Sequence, residues 1–270
     1  MDLPRLFTSV ACAATLAGAA IAAASPASAA GANYVALGDS YSSGVGAGSY
    51  DGSSCERSSN AYASKWAASH SPASFQFVAC SGATTGDVLN SQVSALSSST
   101  SLASITIGGN DAGFSSVMET CVLQSDSSCL SAVASAESFM DNQLPGRLNS
   151  LFSTMRSKAP NAHVVVLDYP HLYIITSICP GLSNTKRNAL NGAADHLDSA
   201  ISNATRSAGF SFADVRGQFA GHELCSGDDW LHSVTYPFGD SYHPTALGHS
   251  SGYLPVFTSA AGSAVAASKS

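Results

Sequence analysis

The chain of 270 residues is 45% hydrophobic and only 11% charged, with a formal net charge of −7. The charged share is far below the ~25% of an average soluble protein, and serine fills much of the polar surface instead. No cluster of four or more basic residues occurs, which excludes a nucleic-acid-binding role.

At the start, Arg5 precedes an alanine-rich apolar stretch over residues 6–24. A Ser25-Pro26 turn and the small residues Ala27, Ser28, Ala29 and Ala30 follow. This layout reads as a secretory signal peptide over residues 1–30, cleaved on export. The stretch is too alanine-rich and too close to the cleavage site for a membrane anchor. The expectation is therefore an extracellular protein without stable membrane insertion. Residues 31–270, about 240 in number, suit a single α/β domain with a sizeable core.

Short apolar β-type runs follow at 34–37, 75–79, 104–107, 163–168 and 210–215. Val164, Val165, Val166 and Leu167 are continuously apolar, as a strand covered on both faces requires. Between the runs, Leu144, Leu148, Leu151, Phe152 and Met155 recur at helical spacing, with Pro145 suited to a first turn. Leu190, Ala194, Leu197, Ile201, Ala204 and Ala208 do the same. Weaker helical patterns cover 61–70, 86–96 and the segment after Pro244. Strand and helix alternating five times predict a parallel sheet with helices on both faces. In such a sheet, ligands bind beyond the carboxyl ends of the strands.

Seven cysteines are present, and cleavage of the leader removes Cys12. Six in an exported chain favour three disulfides, although six permit 15 connectivities. Local pairing suggests Cys55–Cys80, Cys121–Cys129 and Cys179–Cys225. No Cys-x-x-Cys spacing supports a zinc site.

Four short blocks carry candidate chemistry, three of them directly after apolar runs. Gly38-Asp39-Ser40 follows the first run; a serine at such a corner exposes its hydroxyl and its backbone N–H together. Cys80-Ser81-Gly82 follows the second, where a glycine opening a helix lets an anion approach its N–H. Gly108-Gly109-Asn110-Asp111 follows the third, and an asparagine amide there can donate to an oxyanion. Asp240-Ser241-Tyr242-His243-Pro244 stands near the carboxyl end. A catalytic histidine must reach the serine through one ring nitrogen and be oriented through the other. Each block alone reads equally well as a turn or a helix cap.

Together the blocks resemble the SGNH, or GDSL, hydrolase family, and the likeness extends over essentially the whole mature chain. Gly38-Asp39-Ser40-Tyr41-Ser42-Ser43-Gly44 with Gly108-Gly109-Asn110-Asp111 looks most like the secreted lipases, esterases and phospholipases A1 of actinobacteria. The resemblance implies a flavodoxin-like three-layer α/β/α sandwich with a central five-stranded parallel sheet. It also implies a monomeric extracellular ester hydrolase with no metal or cofactor, whose partner is an ester or lipid substrate. Ser40 then matches the nucleophile, His243 the base, and Asp240 the usual acid. The oxyanion donors are the Ser40 N–H, Gly82 and Asn110. The rival orienting group for His243 is the Ser241 carbonyl. Tyr41 departs from the name-giving leucine. The same blocks serve carbohydrate esterases that remove acetyl groups, and a catalytically inactive secreted binding protein is a further alternative.

Asp39 reads as a buried brace beside the nucleophile and not as a catalytic acid. His222, Glu223, Asp228, Asp229 and His232 match no metal-ligand spacing. His249 reads as packing on the last helix. Tyr41, Tyr169, Tyr173 and Phe114 follow strand ends and either line an acyl site or simply pack.

Overall fold

The computed structural model describes residues 31–267. The expected leader, residues 1–30, lies outside the described residues. In chain order the elements are β1 (Asn33–Ala36), the one-turn α1 (Ser40–Ser43), α2 (Tyr62–His70), β2 (Ser74–Phe77) and α3 (Thr85–Asp87). Next come β3 (Leu102–Ile105), α4 (Phe114–Leu123), α5 (Asp126–Asn142), α6 (Leu144–Lys158) and β4 (His163–Leu167). The chain ends with α7 (Asn184–Ser207), β5 (Ser211–Ala213), α8 (Arg216–Phe219) and α9 (Leu254–Ala267).

All five apolar runs form strands, and all five strands are parallel, in the order β2-β1-β3-β4-β5. Tyr34 of β1 lies between Phe75 of β2 and Leu102 of β3 in register. The winding direction reverses between β1 and β3, and a crevice opens at their carboxyl ends. Ser40 follows one of these strands and Asn110 the other.

Two apolar layers cover the sheet. On one face, Tyr34 stacks with Phe75 and with Phe257 of α9, and meets Trp66 of α2 edge-on. On the other face, α6 buries Leu144, Leu148, Leu151, Phe152 and Met155 completely, the stripe its spacing encodes. Truncating one of these to alanine costs about 2–5 kcal/mol in a core that cannot collapse. The longer α7 starts at Ser183, whose side chain accepts from the Lys186 N–H, and buries Leu190, Leu197 and Ile201.

Two long helices escaped the sequence reading, α4 and α5, as did the four-residue α1 and α8. Serine-rich stretches dilute the apolar spacing of α4 and α5, which is carried only by Met118 and Cys121 in one and by Cys129, Val133, Ala136 and Met140 in the other. The signal that could have revealed α5 is its cap, because the Ser125 side chain accepts from the Ser128 N–H. The six cysteines pair as Cys55–Cys80, Cys121–Cys129 and Cys179–Cys225, and the second bridge ties α4 to α5.

Candidate active site

The site begins with the sharp end of β1. Gly38 sits at φ +123, and a Cβ there would lie 2.5 Å from the Thr106 carbonyl oxygen. Only glycine lets the chain turn at that point. Asp39 then caps α1, with its Oδ1 accepting the Tyr41 N–H at 3.0 Å. Ser40 is thereby the first residue of a one-turn helix, 7% exposed.

Asp39 itself is 1% exposed. Besides Tyr41 it accepts from Thr106 Oγ1 at 2.7 Å and from the Tyr169 hydroxyl. Burial raises its carboxyl to about 6, against the pull of these donors. Every contact of this carboxylate locks β1, β3 and the loop after β4 together, so it is the brace its position suggested.

His243 reaches this corner from the far end of the chain. Its Nε2 stands 2.8 Å from Ser40 Oγ. Its Nδ1–H donates to the carbonyl oxygen of Ser241 at 3.1 Å. A carbonyl only accepts, so this bond fixes the tautomer and leaves Nε2 free to take the serine proton. Burial pushes the imidazole down to about 4, while the Ser241 carbonyl and the charge of Asp240 pull in the opposite direction.

The expectation that Asp240 orients the ring is corrected by this geometry. Asp240 ends a short 3₁₀ turn over Phe238–Asp240, and its Oδ1 accepts from the Tyr50 hydroxyl at 3.0 Å. Tyr242, between them, adopts φ +64. That left-handed residue brings the carbonyl two positions back, and not the carboxylate, to Nδ1.

Gly82 lies in the turn after β2, at φ +76 with nothing within 4 Å of its would-be Cβ. The Cys55–Cys80 bridge and a bond from the Ser81 N–H to the Cys55 carbonyl at 3.0 Å hold this turn. Asn110 Nδ2 donates to the Ala83 carbonyl at 3.0 Å. Its second amide hydrogen remains available to a ligand. Asp111 fixes the same turn from behind, accepting from the Thr85 N–H at 2.8 Å and from Thr85 Oγ1 at 2.6 Å. Among the described residues, the N–H groups of Ser40 and Gly82 donate to no acceptor. The arrangement can therefore receive an oxyanion beside a serine–histidine pair.

Behind Ser40 and Asn110 runs a narrow apolar cavity of about 70 Å³ that opens to the surface. Phe114 and Val117 of α4, Ala136 and Met140 of α5, and Ala194 and Leu197 of α7 form its walls. Tyr41 and Tyr169 line it too, while Tyr173 does not. Ala194 and Leu197 belong to the helical stripe legible in the sequence, whereas Val117, Ala136 and Met140 went unnoticed because α4 and α5 did.

Other conspicuous residues are engaged elsewhere. His222 stacks on Trp230 and pairs with Asp228, Glu223 accepts from the Gly221 N–H, and Asp229 from Ser226. The ring of His232 reaches the Gly46 carbonyl. Among the described residues no three His, Cys, Asp or Glu side chains gather as a metal site. His249 is fully buried beside Tyr62 and Tyr253, with Nδ1 accepting from the Tyr62 N–H at 3.3 Å.

Comparison with known proteins agrees with this geometry. Residues 36–250 match the GDSL-like Lipase/Acylhydrolase family. The chain is 60% identical to Lipase 1 of Streptomyces coelicolor over 252 residues, covering 92% of this chain and 93% of that protein. It superposes on the crystal structure of phospholipase A1 from Streptomyces albidoflavus with a TM-score of 0.84 and 58% identity, covering 85% of this chain and 99% of that one. The extracellular lipase of Streptomyces rimosus gives a TM-score of 0.84 at 54% identity, with coverage of 85% and 99%. The chain belongs to the GDSL-like lipase/acylhydrolase family and is a carboxylic ester hydrolase.

Proposed function

We propose that this hydrolase is exported after loss of residues 1–30 and cleaves lipid-like esters through an acyl-enzyme on Ser40. The observation that carries the reading is the Ser40–His243 bond of 2.8 Å at the mouth of an apolar cavity. His243 Nε2 takes the hydroxyl proton as Ser40 Oγ attacks the ester carbonyl carbon. The oxyanion is received by the N–H groups of Ser40 and Gly82 and by the Asn110 amide; losing one such donor typically costs ~10²–10³ in rate. Collapse expels the alcohol with the proton held by His243. Water, deprotonated by the same imidazole, then attacks the acyl-enzyme and releases the acid.

Ser40 and His243 work as a dyad, with the Ser241 carbonyl holding the ring. The cavity favours an acyl chain over a sugar, because its walls are aliphatic and aromatic side chains with few groups to satisfy sugar hydroxyls. No helix among the described residues is long and apolar enough to cross a membrane, and the three disulfides suit an oxidising compartment.

The test is a substrate panel: acetyl to long-chain esters, triacylglycerol, phosphatidylcholine and acetylated xylan, each with wild type and Ser40→Ala. Long-chain hydrolysis that Ser40→Ala loses supports the reading. Activity confined to acetylated polysaccharide contradicts it.

A further inference from the structure

Tyr41 directly follows Ser40, yet its hydroxyl serves the other half of the pair. It donates at 2.6 Å to the carbonyl oxygen of Tyr242, in the peptide that leads into His243. Among the described residues no other donor reaches that oxygen. The Tyr41 ring is 4% exposed and lies 5.2 Å from the His243 ring and 5.0 Å, edge-on, from Tyr169. One side chain therefore touches the serine turn, the cavity wall and the histidine loop.

The loop it holds needs restraint. Tyr242 at φ +64 occupies a region that side chains with a Cβ rarely hold unless their surroundings enforce it. Its N–H donates to the His232 carbonyl at 2.9 Å, and the His243 carbonyl accepts from the His232 N–H at 2.9 Å. These two bonds hold the outer edge of the loop. The Tyr242 carbonyl points inward, and Tyr41 alone anchors it. The position of the imidazole follows from this peptide plane, because Nδ1 is met by main chain and no carboxylate corrects a tilt.

We propose that Tyr41 is a positioning residue, which couples the turn presenting Ser40 to the peptide that aims His243. The proposal rests on the reading of Ser40 and His243 as the catalytic pair. It assigns the hydroxyl, and not merely the ring, a part in turnover. A misplacement of about 1 Å at reacting groups can cost ~10² in rate, so partial release of the loop should cost less.

Tyr41→Phe keeps the ring and removes the bond. With a short soluble ester, kcat should fall about tenfold while KM stays within about twofold. The acid limb of the pH–rate profile should also move, because the imidazole no longer sits in one fixed environment. Tyr173→Phe is the control: its hydroxyl meets the Tyr242 hydroxyl at 3.3 Å, on the same residue but not at its carbonyl. That variant should keep the wild-type kcat. All rates are taken well below each thermal midpoint, so that lost stability does not enter. Tyr41→Met, which also lacks the hydroxyl, replaces Tyr41→Phe if the latter does not fold. Wild-type kcat and pH profile in the hydroxyl-free variant, or an equal loss in Tyr173→Phe, would overturn the proposal. Ser40→Ala in the same assay separates the two readings, since turnover retained there overturns the catalytic pair itself.

Discussion

The Nδ1–H of His243 donates to the carbonyl oxygen of Ser241, two residues back in its own loop, at 3.1 Å. This bond supplies what a triad aspartate would in geometry, but without a full charge. Asp240 influences the imidazole only through space, and its carboxylate is held by Tyr50. Asp240→Asn keeps an oxygen for Tyr50 and should therefore reduce kcat only a few-fold. In a true triad the same exchange costs about 10⁴. Steady-state kinetics of the folded variant decides, and a loss of about 10² or more would restore Asp240 as the orienting acid.

The fold and much of the site follow from patterns that are local in the chain. Each strand is a short apolar run, and Ser40, Gly82 and Asn110 stand where runs end, so the strand-end rule nominates all three as candidates. The orienting group for His243 is not local. Whether Asp240 or Ser241 meets the ring depends on the backbone of Tyr242, which is held by a bond to His232, ten residues back, and by one from Tyr41, in a distant part of the chain. The cavity was hidden for another reason. Serines separate the apolar residues of α4 and α5, and such weak periodicity does not declare a helix.

The base must be neutral to accept the serine proton, and burial holds His243 at about 4, below the ordinary ~6.5. The acid limb of kcat/KM should accordingly have its midpoint near 4, with activity rising as pH rises through it and flat across neutrality. A profile measured with a soluble ester, restricted to the pH range in which the protein stays folded, checks this. A midpoint at 6 or above contradicts the burial argument.

His249 gives acid stability a sign of its own. Its folded value is about 3 because of burial, against ~6.5 when unfolded. Between those values the unfolded chain binds a proton that the folded one does not, so stability present above pH 6.5 is lost as pH falls toward 3. Asp39, raised to about 6, acts in the opposite sense between its unfolded and folded values. His249→Gln keeps an acceptor for the Tyr62 N–H and removes the titration. Its thermal midpoint should fall less than that of wild type between pH 7 and pH 4. An equal or larger fall contradicts the assignment.

The cavity sets how much chain the enzyme can bury. Ala194 lines it from α7, and Ala194→Phe should fill part of it. A buried methylene contributes about 0.8 kcal/mol, so excluding two of them should lower kcat/KM for long-chain esters on the order of tenfold. Acetyl and butyryl esters should change by less than about threefold. Equal loss on short and long esters would show that the chain binds elsewhere.

The central claim is that Ser40 carries the acyl group, and an active-site label reads it directly. Incubation with a fluorophosphonate, followed by peptide mass spectrometry, should find one adduct per chain, on Ser40, formed in step with loss of esterase activity. His243→Ala should label far more slowly. An adduct on another residue, or full activity in protein labelled at Ser40, would contradict the account.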